Sequence, residues 1–155
     1  MAVSVAPPEL TGEAATIVGA WSTAFKAAAD KRGIKKNLVI ALLSKNLDVV
    51  WSDKLEPSPP FLNKIMVSKA RSFHAGKTMV SPGACETMCC HFCPWMCGCT
   101  NQMPVQGVIA FDMPGSDAAF LVVAGAPQGS TDLAIANELA GAAKGGAPDV
   151  ASIDR

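Results

Sequence analysis

Residues 38–51 read Leu-Val-Ile-Ala-Leu-Leu-Ser-Lys-Asn-Leu-Asp-Val-Val-Trp. The first six are apolar without a break and follow Gly33 and the basic pair Lys35 and Lys36. So short a run with no polar alternation is a strand covered on both faces. Ser44, Lys45 and Asn46 supply a tight turn, with Asn46 the residue suited to a left-handed conformation. Leu47–Trp51 returns as a second strand, and the two form a hairpin that needs cover on both sides.

Cover is available upstream and downstream. Thr11 is placed to cap a helix on which Ile17, Trp21, Phe25 and Ala28 recur at helical spacing, and Gly33 suits its left-handed C′ position. Residues 52–60, with Pro57, Pro59 and Pro60, are a linker. Phe61, Leu62, Ile65, Met66, Ala70 and Phe73 then define a second helix, expected over Phe61–Lys77. Beyond a Cys-rich segment, Val105–Asp112 is expected as a third strand, Pro114–Asp117 as a turn and Ala119–Ala124 as a fourth strand. Thr131 or Asp132 should cap a last helix running through about Ala143. This order predicts an α+β, profilin-like architecture, a central antiparallel sheet flanked by helices. One domain over residues 11–143 is expected, with loose ends at 1–10 and 144–155.

Lys plus Arg number 13 and Asp plus Glu 13, so the net charge is zero, which argues against a nucleic-acid partner. With 50% hydrophobic and 17% charged residues the chain can build a core and is not of disordered composition. No apolar run reaches the ~20 residues of a membrane span. The N-terminus has neither a basic n-region nor an apolar h-region, so a cytoplasmic, reducing location is expected.

All six Cys lie between Cys85 and Cys99, in Cys85-Glu-Thr-Met-Cys89-Cys90-His91-Phe-Cys93-Pro-Trp-Met-Cys97-Gly-Cys99. Thiolates are soft ligands for zinc, Cu(I) or iron–sulfur clusters. Cys90, Cys93, Cys97 and Cys99 form a tight candidate zinc set, although structural zinc sites usually separate their two pairs further. Cys85, Cys89, Cys93 and Cys97 recur every fourth residue and would line one helix face, against which Pro94 works. The spacing departs from the ferredoxin runs, and His91 could complete any of these sites. Disulfides and redox-active thiols are the alternatives. Met79, Met88, Met96 and Met103 lie in or beside the cluster, as soft ligands or as core filler.

The order and spacing of the elements resemble the haem-binding HbpS-like family, which includes the glycolate-operon protein GlcG and the C-terminal domain of PduO-type proteins. The similarity spans roughly residues 14–143. It rests on the opening helix and hairpin, on Ser68-Lys69-Ala70-Arg71 with Gly76-Lys77-Thr78, and on Val122-Val123-Ala124-Gly125 leading to Thr131-Asp132-Leu133-Ala134-Ile135-Ala136. Three features depart from that family. Its Gly-Gly-x-Pro turn is here Asn101-Gln102-Met103-Pro104, no His precedes His74, and the Cys-rich insertion has no counterpart.

The resemblance implies a small-molecule pocket beside the segment between the second helix and the third strand, with haem as one ligand and a homo-oligomer as the assembly. His74 follows Ala70 by four and Met66 by eight residues and shares their helical face, which makes it a candidate axial haem or metal ligand, against the alternative of a partly buried His with a backbone partner. Lys69, Arg71 and Lys77 are candidate carboxylate or propionate contacts, against the alternative of a solvated helix face. Trp95 is a candidate stacking or shielding residue, against that of a loop anchor. Three functions follow: a small-molecule or haem-binding protein with a metal-binding Cys loop beside its pocket, an enzyme using Cys-bound metal or a thiolate, or an oligomerising domain with loop disulfides.

Overall fold

The structure, a computed structural model, describes residue 10, residues 12–81 and residues 93–144. The expected capping residue Thr11 and part of the Cys-rich segment, with Cys85, Cys89, Cys90 and His91, lie outside these. Strand β1 (Val39–Ser44) is buried at all of its positions, as its unbroken apolar run requires. It pairs antiparallel with β2 (Val49–Lys54) on one side and β4 (Ala118–Ala124) on the other, with Leu42 opposite Trp51 and Leu121. The short β3 (Val108–Ala110) adds antiparallel to β4, so the sheet order is β2-β1-β4-β3.

Alternate side chains of β1 reach opposite sides of the sheet. Leu38, Ile40 and Leu42 join Ile109, Leu121 and Val123 in a core with Trp21, Phe25 and Ala28 of α1 (Gly12–Lys31) and Leu133, Ala136 and Leu139 of α4 (Gly129–Lys144). Trp21 donates its indole N–H to the Leu139 carbonyl at 2.9 Å and meets the Phe111 ring edge-on at 5.0 Å. Val39, Ala41 and Leu43 join Val108, Phe120 and Val122 in a second core, beneath Leu62, Ile65, Met66 and Ala70 of α2 (Phe61–His74). The expected α+β sheet with helices on both faces is what forms. Among the described residues, no helix is long and apolar enough to cross a membrane.

Several boundaries differ from expectation, each for a local reason. Leu47, not Asn46, takes the left-handed conformation (φ 67°), and Ser44 and Asp48 exchange a hydrogen bond across the turn, so β2 begins at Val49. It continues to Lys54, with the Leu55 N–H on the Leu38 carbonyl. Helix α2 ends at His74, three residues early, because Gly76 (φ 76°) closes a Schellman motif in which Gly76 and Lys77 donate to the carbonyls of Phe73 and Ser72. Gly33 ends α1 the same way, with Gly33 and Ile34 donating to Asp30 and Ala29. The expected strand over Val105–Asp112 shrinks to three residues. Val105 bridges in parallel to Val80, and Gly107 at φ 135° turns the chain before it can join β4. Helix α4 starts at Gly129, which puts Thr131 and Asp132 inside its first turn rather than at its cap.

Candidate functional site

The outer face of α2 and the segment that leads back to β3 enclose a cleft of about 640 Å³. Phe61, Lys64, Val67 and Arg71 line it from the helix, and Trp95 and Met96 from the short helix α3 (Cys93–Met96). A cleft of this size, largely apolar with a few charges at its edge, matches the range of small-molecule sites. Trp95 is held by its indole N–H, which donates to Ser68 Oγ at 2.6 Å, while its ring packs on the α2 core. Arg71 Nη1 donates to the Asn101 carbonyl at 2.9 Å and pins the far end of the segment. Met96 lines the cleft and is 63% exposed.

Lys69 stands elsewhere, with neither of the roles expected for it. Its side chain and that of Asp132 are each 3% exposed, and Nζ lies 2.8 Å from Asp132 Oδ2. Its remaining donors go to the carbonyls of Gln106 at 3.0 Å and Val123 at 3.1 Å. A buried ammonium with three acceptors is fully used. Lys69 therefore lies on no solvated face and has no donor left for a propionate. Burial pushes the Asp132 carboxyl upward, and Lys69 with the Ala126 and Gly125 N–H groups works against that rise. Gly107 allows the close approach: a Cβ there would sit 2.5 Å from the Val123 carbonyl oxygen and 2.9 Å from Lys69 Nζ. The pair ties α2, the loop before β3, β4 and α4 together.

His74 is exposed at the end of α2, its ring edge-on to Phe120 at 5.5 Å, and it does not line the cleft. Lys77 is exposed beyond the helix. Among the described residues, Trp95 and Arg71 are the expected site residues that line the cleft together. Sequence reasoning missed Ser68 and Asp132. Ser68 carries the signal of a polar residue on an apolar helix face, whereas nothing local announces the partnership of Asp132 with a residue 63 positions away.

Cys93, Cys97 and Cys99 are exposed and free. Cys97 donates its backbone N–H to the Cys93 carbonyl, so this pair keeps the expected helical four-residue spacing. Cys97 Sγ and Cys99 Sγ are 2.9 Å apart across Gly98. Their contact pulls the Cys97 thiol below its ordinary pKa and pushes that of Cys99 up. Among the described residues, no three His, Cys, Asp or Glu side chains converge as a metal site. The zinc, copper and iron–sulfur readings thus find no support in Cys93, Cys97 and Cys99, and their other candidate ligands lie outside the described residues.

No protein-family model matches the sequence, and no curated protein matches it. Solved structures do match. A double mutant of HbpS from Streptomyces reticuli superposes with a TM-score of 0.50 at 22% identity, covering 90% of this chain and 94% of HbpS. ORFY of Klebsiella pneumoniae gives 0.55 at 11%, covering 91% and 98%. The PduOC–haem complex gives 0.51 at 12%, covering 83% and 91%. At such identities the superpositions establish a common architecture alone, so the resemblance expected from element order holds at the level of fold: this chain has the fold of HbpS, ORFY and PduOC.

Proposed function

We propose that this protein binds a flat, largely apolar small molecule bearing carboxylates in the cleft between α2 and the Cys93–Asn101 segment. The fixed indole of Trp95 carries the reading, because a ring held at one end by Ser68 and backed by the core is a rigid wall for stacking. Arg71 and Lys64 at the rim provide cations for carboxylate groups. Haem belongs to this ligand class, and its binding by PduOC supports naming it first. The cleft suits haem in volume and lining, and Met96 is the lining residue with a soft donor for its iron. Bound haem would supply a redox-active iron, with Trp95 orienting its plane and Arg71 its propionates.

Titration with haemin tests this. We expect a shifted Soret band at one equivalent with quenched tryptophan emission, and affinity reduced at least ~10-fold in Arg71→Ala, about the value of one charge-assisted contact. No spectral change with haemin or with a metal-free porphyrin would refute the reading. An unaltered affinity in both Arg71→Ala and Trp95→Phe would place the ligand elsewhere. The homo-oligomer implied by the resemblance is a further part of the proposal, tested by light scattering with and without haemin.

A further inference from the structure

At the rim of the cleft, the Cys97-Gly98-Cys99 turn places two exposed sulfurs 2.9 Å apart. This is longer than the ~2.05 Å of a covalent S–S bond and well inside the separation at which unbonded sulfurs normally rest. The backbone holds the two residues there. Cys97 and Cys99 donate their N–H groups to the carbonyls of Cys93 and Pro94, Gly98 donates to Trp95, and Gly98 takes φ 80° to reverse the chain. A side chain at residue 98 would be strained at that φ. Neither sulfur is buried in the core, and no third ligand converges on them among the described residues.

We propose that Cys97 and Cys99 are a redox-active dithiol that exchanges with low-molecular-weight disulfides of the oxidised-glutathione class. The Cys97 thiolate attacks one sulfur of the disulfide, forming a mixed disulfide and releasing the first small thiolate. Cys99 then attacks the Cys97 sulfur, its proton passes to the departing sulfur, and the second small thiol leaves. The dithiol loses two electrons and two protons, and one disulfide becomes two thiols. The ring closed across a single glycine is too short to draw much stability from chain entropy, which puts the bond in the labile, exchanging class. The site makes no use of the cleft ligand and stands apart from the function proposed above.

The sequence supplies its own mapping reagent. Cleavage at methionine after Met79, Met88, Met96 and Met103 leaves Cys85 on fragment 80–88, Cys89, Cys90 and Cys93 on fragment 89–96, and Cys97 and Cys99 together on fragment 97–103. The reduced full chain is equilibrated with oxidised glutathione, quenched in acid, blocked with N-ethylmaleimide and cleaved with cyanogen bromide. Fragment 97–103 should appear unblocked and lighter than the dithiol by two hydrogens. This disulfide should form at an early time point, before the other fragments oxidise, and return to the dithiol when reduced glutathione is added. Cys99→Ser should stop at the mixed disulfide, with glutathione retained on Cys97. The proposal is overturned if fragment 97–103 is found joined to another fragment, or if it stays doubly blocked until the remaining thiols oxidise. It is equally overturned if the freshly purified protein carries a metal ion that shields both thiols from maleimide. Fragment mapping of the unmutated chain decides these outcomes without any variant having to fold.

Discussion

Replacing Lys69 by Met should unfold this protein more readily than any change on its surface, and in a pH-dependent way. The substitution keeps the length and apolar stem of the side chain and deletes an ammonium that bonds to Asp132, Gln106 and Val123. Removing one member of a buried ion pair costs about 3–5 kcal/mol, because the other charge stays behind without compensation. In a domain of this size each kcal/mol moves Tm by ~2–4 °C, so Lys69→Met should melt roughly 6–20 °C below the wild type.

The pH dependence follows from Asp132. With Lys69 gone, burial acts on the carboxyl with less opposition, and its folded pKa climbs further above the unfolded value of about 3.9. As pH rises from there, the unfolded chain ionises first. The variant therefore loses stability relative to the wild type between the wild type's folded pKa, itself above the unfolded value, and its own higher one, with no further loss above. Urea unfolding followed by circular dichroism across that window measures both effects. The penalty should be smallest near pH ~4 and grow toward neutrality. Adding Asp132→Asn should restore part of it, with a coupling of up to about 3 kcal/mol. A loss below ~1 kcal/mol, flat in pH, would mean that Lys69 is solvated and would refute the structural role assigned to it.

Gly107→Ala should cost at least about 2 kcal/mol, since φ 135° and a Cβ placed 2.5 Å from the Val123 carbonyl strain the chain beside the ion pair; chemical denaturation would show it as a lower midpoint. Ser68→Ala should cost only ~1 kcal/mol in the same assay, but should free the Trp95 indole and shift its emission, which fluorescence reads directly. The Glu138 carboxyl is held low first by Arg32 and also by Lys31, so its contribution is complete above the unfolded pKa of about 4.3 and disappears as pH falls through the folded value. The pair is partly exposed, and Glu138→Gln should therefore lower stability at neutral pH by less than ~1 kcal/mol and converge with the wild type in acid.

The parts of the fold that were legible in the sequence are those that local chemistry specifies. An unbroken run such as Leu38–Leu43 has one low-energy solution, a strand covered twice, and β1 adopts it. Gly33 at the end of a helical pattern has one use, and serves it. The third strand is shorter than expected because the apolar residues of Val105–Asp112 record burial more than regular pairing. Phe111 and Met113 are buried in the core, yet only Val108–Ala110 join the ladder. Lys69 was misplaced for a related reason. On an amphipathic helix a charge is normally evidence of a wet face, and only the fold brings in Asp132, two carbonyls and a glycine that clears the space.

The cysteines show the same division from the other side. Both cores close without sulfur from any described Cys, since Cys93, Cys97 and Cys99 are all exposed. Their chemistry is therefore not constrained by the packing that holds the sheet and its helices. The segment is nonetheless tied to the fold through Trp95 on Ser68 and Asn101 on Arg71, both on the face of α2 that walls the cleft. Gly98 donates to the Trp95 carbonyl, so the turn carrying the two close sulfurs and the indole that walls the cleft share one piece of backbone. Closing or opening a bond between those sulfurs moves that piece first. A change in Trp95 emission on oxidation, present in the wild type and absent from Cys97→Ser, is the signature expected of this connection. A rearranged Cys turn with unchanged emission would show that the thiols and the cleft act independently.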